Sequence, residues 1–137
     1  MKLRSMVGLI LFASLLIAGS VASWAFFAAY KLEETESKLL ALVFVDREIR
    51  EIPVIIGESD AVFSSHPMDG GAPGTSSVKI HRSIDEESLK KLVSHLTSIG
   101  YQYKYSAAGK TYFSRGENEI VIDRSGGFLD VVKFFWE

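Results

Sequence analysis

The chain has 137 residues, a net charge of −2 and no cysteine. That is room for one domain of ordinary size, and it excludes a two-lobed enzyme with a cleft between lobes. The lack of cysteine excludes disulfides, thiolate zinc sites and a cysteine nucleophile. The mild acidity leaves no basic stripe of the kind nucleic-acid binding requires, so nucleic acid is not an expected partner.

Residues 6–30 read MVGLILFASLLIAGSVASWAFFAAY, without a charge, proline, asparagine or glutamine. As a helix this segment rises about 37 Å, enough to cross a hydrocarbon core of ~30 Å with some tilt. Trp24 and Tyr30 lie in its outer part, where amphipathic rings favour the membrane interface. The rival reading is a cleaved signal peptide with a small-residue site around Ser20–Ser23. Against it, the apolar stretch runs on through Trp24–Tyr30, well beyond the usual apolar core of such peptides. Residues 1–30 are therefore expected to be an uncleaved single-pass anchor. Lys2 and Arg4 precede the span, which favours a cytoplasmic N-terminus and an extracytoplasmic domain at the cell membrane.

Residues 31–57 read as a connector. Glu34 and Lys38 have helical i,i+4 spacing. Leu39–Val45 is an unbroken apolar run, read as helix with a buried strand as the alternative. Pro53 is expected to end any helix, leaving Val54–Ile56 as a short strand. Residues 58–76 are expected to form a flexible loop region, on the strength of HPMDGGAPGTSS at 66–77.

The expected core is 77–137, in the order β-α-β-β-β. Ser77–Arg82 alternates as a half-buried strand. Ser83 is the expected N-cap of a helix, with Glu86 completing a capping box. Leu89, Leu92, Val93, Leu96 and Ile99 form its apolar stripe, and Gly100 its C-terminal stop. Tyr101–Tyr105 and Thr111–Ser114 form a hairpin, Glu119–Asp123 a further strand. Phe128–Trp136 is apolar on both faces, which marks a central strand or one covered on both sides. The expected fold class is α+β: an N-terminal transmembrane helix, then an antiparallel sheet of about four to five strands with one packed amphipathic helix.

Few residues point to chemistry. His66 and Asp69 share a glycine-rich loop but fall short of the three or four ligands a metal needs. Ser88 and His95 share a helix face but lie about 10 Å apart, too far for a nucleophile–base pair. Glu86 and Glu87 suit a helix N-terminus. Gly70–Thr75 lacks the lysine and the following helix of a phosphate loop. No cofactor or metal is expected.

The aromatic residues are the more suggestive feature. Tyr101, Tyr103 and Tyr105 alternate along one strand, with Tyr112 and Phe113 on its partner and Trp136 near the end of the chain. These read either as a recognition surface or as ordinary cross-strand packing. The functional expectation is a non-enzymatic, membrane-anchored domain that binds a protein partner. An accessory subunit of an envelope complex and an immunity-type inhibitor both fit. The alternatives are a small-ligand or peptidoglycan-binding sensor using Tyr101, Tyr103, Tyr105, Tyr112 and Trp136, or a small hydrolase using His66, His81 or His95.

Overall fold

The first element is a helix, α1 (Leu3–Ala29). The computed structural model describes residues 3–136, and within α1 the side chains at 8, 10–24 and 26. Lys2 and the side chain of Arg4, on which the membrane orientation was argued, lie outside the described residues. The helix is apolar on all sides, as an isolated soluble helix is not. Two of its serine hydroxyls are satisfied within the helix: Ser14 donates to the Ile10 carbonyl and Ser20 to that of Leu16, each at 2.8 Å. Taken over the described residues, no helix is long and apolar enough to cross a membrane.

Residues 31–137 form a separate compact unit. Its elements are β1 (Leu32–Thr35), α2 (Lys38–Phe44), α3 (Arg47–Ile56), β2 (Val62–His66), β3 (Gly74–Ile80), α4 (Glu86–Ser98), β4 (Gln102–Ala107), β5 (Lys110–Arg115), β6 (Asn118–Asp123) and β7 (Leu129–Phe135). The strands make one seven-stranded sheet in the order β1-β2-β3-β7-β6-β5-β4. Every pairing is antiparallel. The α+β class is as expected. The sheet is larger than the four to five strands foreseen, and three helices rather than one belong to this unit.

The added elements come from the stretches read as connector and loop. Pro53 does not end α3. It removes one backbone donor inside the helix, a cost of about 3 kcal/mol. Ile49, Ile52 and Ile56 are fully or nearly buried along the same face, and each is worth roughly 1.5–3 kcal/mol. The burial wins, so Val54–Ile56 is helix and not strand. The real stop is Gly57, in the left-handed conformation at φ 75°. There the Glu58 N–H reaches the Pro53 carbonyl at 2.7 Å and the Gly57 N–H that of Val54 at 3.2 Å.

The 58–76 segment is not a loop but mostly a β-hairpin. β2 pairs with β3 from Val62↔Lys79 to His66↔Thr75, and Gly70–Gly71 turn the chain at positive φ. Gly74 begins β3 by pairing with Phe135 of β7, and it has no room for a side chain because the Phe135 ring lies where a Cβ would point. Glu34, expected on a helix with Lys38, sits instead in β1 and pairs with Lys79 at 3.1 Å.

The 77–137 region follows expectation more closely. α4 is present with Leu92 and Leu96 buried, and Gly100 follows it at φ 96°. The N-cap is Asp85, whose carboxylate accepts the Ser88 N–H at 2.7 Å, not Ser83. The strand apolar on both faces, β7, lies at the middle of the sheet.

Candidate functional site

The two faces of the sheet differ in kind. One carries Phe63, Val78, Ile80, Phe113, Ile120, Ile122, Leu129 and Val131, all buried. α3 packs over β3 and β7 on this side, and α4 packs beside α3. The opposite face can be followed strand by strand through the pairing register, in three rows.

The middle row runs Ser64, Ser77, Val132, Val121, Tyr112, Tyr105. Tyr105 and Tyr112 stack with ring centroids 4.3 Å apart. One flanking row is charged: Lys79, Asp130, Asp123 and Lys110 lie side by side, with Lys110 and Asp123 paired at 3.4 Å. Burial pushes the Asp130 carboxyl above its ordinary value. Lys79 opposes that shift and Asp123, directly opposite, adds to it. The other flanking row holds His66, Thr75, Phe134, Glu119 and Ser114. At its end Phe134, Trp136, Asn118, Glu119, Lys104 and Pro73 line a depression of about 350 Å³. Lys104 and Glu119 pair across it at 3.2 Å.

The five tyrosine and tryptophan positions therefore do not share one face. Tyr103 pairs with Phe113 while Tyr105 pairs with Tyr112. Phe113 and Tyr112 are neighbours on a regular strand, so they point to opposite sides. The bulge at Lys104 inserts one residue and reverses the alternation. Tyr103 thus follows Phe113, meeting its ring edge-on at 6.0 Å. Tyr105 and Tyr112 remain on the helix-free face, and Trp136 lies at its edge, 47% exposed.

Tyr101 is not a surface residue at all. It is buried and belongs to a cluster that the sequence reading did not foresee. Its hydroxyl donates to Glu48 Oε2 at 2.9 Å. Arg115 Nη2 donates to Glu48 Oε1 at 2.6 Å and Nη1 to the Ile99 carbonyl at 2.8 Å. The Arg115 guanidinium also lies over the Tyr101 ring, 4.5 Å from its centroid. Lys133 Nζ sits between Asp46 and Glu48, 2.9 Å from each.

Burial alone would raise the Glu48 carboxyl, but Lys133, Arg115 and Tyr101 outweigh it and hold it below its ordinary value. Tyr101 is raised, first by burial and then by its bond to the Glu48 carboxylate. Asp46 also caps α3, accepting the Glu48 N–H at 2.9 Å, and its own N–H donates to buried Ser76 at 3.1 Å. Every charged group has a partner, so the cluster locks the start of α3 to the sheet rather than offering a reactive side chain. The readable signal was Lys133 itself, a lone cation in phase with Leu129, Val131 and Phe135.

The histidines are dispersed, with His66 on β2, His81 after β3 and His95 on α4. Among the described residues no group of three or more His, Asp or Glu could hold a metal ion. The His95 Nε2 is buried without a hydrogen-bond partner among the described residues. Comparison of the chain with protein-family models, with characterised proteins and with solved structures finds no match.

Proposed function

We propose that this chain is a membrane-anchored extracytoplasmic interaction domain that binds a protein partner through the helix-free face of its sheet. The observation that carries this reading is the strip Tyr105–Tyr112–Val121–Val132, which joins Phe134 and Trp136 at one end of the face. Rigid aromatic and β-branched groups at the centre with charged rows at the sides match the make-up of a protein interface, apolar inside and polar at the rim. Asp130, Asp123, Lys79 and Lys110 supply the rim. The anchor reading is supported by the charge-free 6–30 segment and by the helix α1 that it forms.

The test is photo-cross-linking in cells with a benzophenone side chain at Tyr105, at Trp136 and, as control, at Lys90 on the exposed side of α4. Positions 105 and 136 should give the same single adduct from the membrane fraction and position 90 none. No adduct at 105 and 136, or the same adducts at all three, would sink the reading.

A second reading is favoured by one feature, the Trp136 depression. An aromatic wall beside Asn118, Ser114 and Glu119 suits a sugar or short peptide of the cell wall. A thermal shift with cell-wall fragments that disappears in Trp136→Ala would move the function to that site.

A further inference from the structure

α2 leaves most of its apolar surface outside. Within the helix only Ala41 is buried, while Leu39, Leu42 and Val43 are each more than half exposed and Leu40 is 38% exposed. At ~100° per residue these four side chains sweep an outward arc of about 160°. Val54 of α3, 80% exposed, continues the surface across a groove of about 390 Å³ floored by Ala41, Pro53, Ala61 and Phe63. A seven-residue helix has little stability of its own, so its outward residues need a reason other than holding the helix.

We infer that α2 is an interfacial helix, resting its Leu39–Val43 arc in the headgroup–acyl boundary of the bilayer. This rests on the anchor reading above. Chain continuity brings it there. Only Tyr30 and Lys31 separate Ala29, the end of α1, from Leu32, the start of β1, along the chain. Two residues, Glu36 and Ser37, separate β1 from α2, which packs on it. If α1 ends at the interface, as Trp24 and Tyr30 indicate, α2 starts within reach of it.

Charge agrees locally, although the domain as a whole is acidic. Lys38 and Arg50 flank the groove, and neither has an ion-pair partner among the described residues. Arg50 Nε donates instead to the Val45 carbonyl at 3.0 Å. Both cations suit lipid phosphates, with Glu36 on the same rim offsetting one of them.

The absence of cysteine makes the test clean. The full chain is placed in vesicles of phosphatidylethanolamine with a minor share of phosphatidylglycerol. It carries one fluorophore at Leu39→Cys, Leu42→Cys, Tyr105→Cys or Leu16→Cys. Labels at 39 and 42 should be quenched several-fold more by a lipid-borne nitroxide than by aqueous iodide, and the label at 105 the reverse. Iodide quenching at 42 as strong as at 105, with lipid quenching at 16, overturns the α2 inference and leaves the anchor standing. Iodide quenching at 16 removes the anchor and this inference with it. Protection of 42 from both quenchers means a protein or a second copy covers α2, and overturns the lipid assignment.

Discussion

The two faces of the sheet are built from alternate residues of the same strands, yet they follow different rules. On β7 the covered face presents Leu129, Val131 and Lys133, while the open face presents Asp130, Val132 and Phe134. The covered face contains the only buried lysine among the described residues and has drawn two carboxylates to it. The open face holds mostly half-buried charges in a row beside an apolar strip, paired at its surface as Lys110 with Asp123 and Lys79 with Glu34. A charge beneath helices must be partnered or the fold fails, whereas a charge beside water needs no partner. The covered face is therefore intolerant of change and the open face is free to serve recognition.

The sharpest way to break this contrast is to alter neighbours on one strand. Lys133→Ala should leave the half-buried Asp46 and Glu48 without their shared cation, Glu48 keeping Arg115 and Tyr101, and cost about 2–3 kcal/mol in chemical denaturation. Val132→Ala, one residue away on the other face, should cost only about 1 kcal/mol. Equal losses would show that the two faces are not distinct in the way described.

Acid titration should separate one carboxylate on each face by sign. Glu48 is held below its ordinary value, so its contribution is fully present above the ordinary carboxylate range. That contribution is lost as pH falls through the lowered folded value. Asp130 is raised, so it disfavours the folded state at neutral pH, and this penalty is relieved as pH falls through its folded value. Asp130→Asn should therefore raise the neutral-pH melting temperature, whereas Glu48→Gln should lower it and flatten the acid limb. Melting curves at several pH values check both signs.

On the open face, with the benzophenone moved to Tyr112 on the same strip, Tyr105→Ala together with Trp136→Ala should abolish the cross-linked partner while shifting stability by no more than about 1 kcal/mol. A folded double variant that keeps its adduct removes this face from the function.

The smallest effect concerns the β4–β5 turn. Ala108 is the one non-glycine residue at positive φ among the described residues, at 51° beside Gly109 at 79°. A two-residue hairpin of this shape prefers Asn-Gly. Ala108→Asn should add roughly 0.5–1 kcal/mol with no change in binding. A loss of stability would mean the turn is held by something other than its local backbone preference.

Legibility followed the reach of each determinant. α4 was readable because its cap, stripe and stop lie within about sixteen residues. Its cap was misassigned by two positions because Ser83 and Asp85 are both competent. β7 was readable as central because apolar residues occupy both of its faces. α3 was misread at Pro53, because the burial that outweighs the proline depends on a sheet whose strands come later in the chain. β2 is short and rich in serine, and only its pairing with β3 makes it a strand. The tyrosines were assigned to one face because strict alternation was assumed, and a single bulge at Lys104 undid that.

By itself the sequence determined the long apolar N-terminal segment, the α+β class, the helix at 86–98 and the hairpins after it. All of these depend on local periodicity and on turn chemistry spanning a few residues. Only the tertiary structure decided that the sheet has seven strands, that Tyr101 is buried while Tyr105 faces outward, and that Lys133 meets Asp46 and Glu48. Those outcomes turn on which surfaces are removed from water together. Residues 87 positions apart, as Asp46 and Lys133 are, carry no local mark of the partner that burial will require of them.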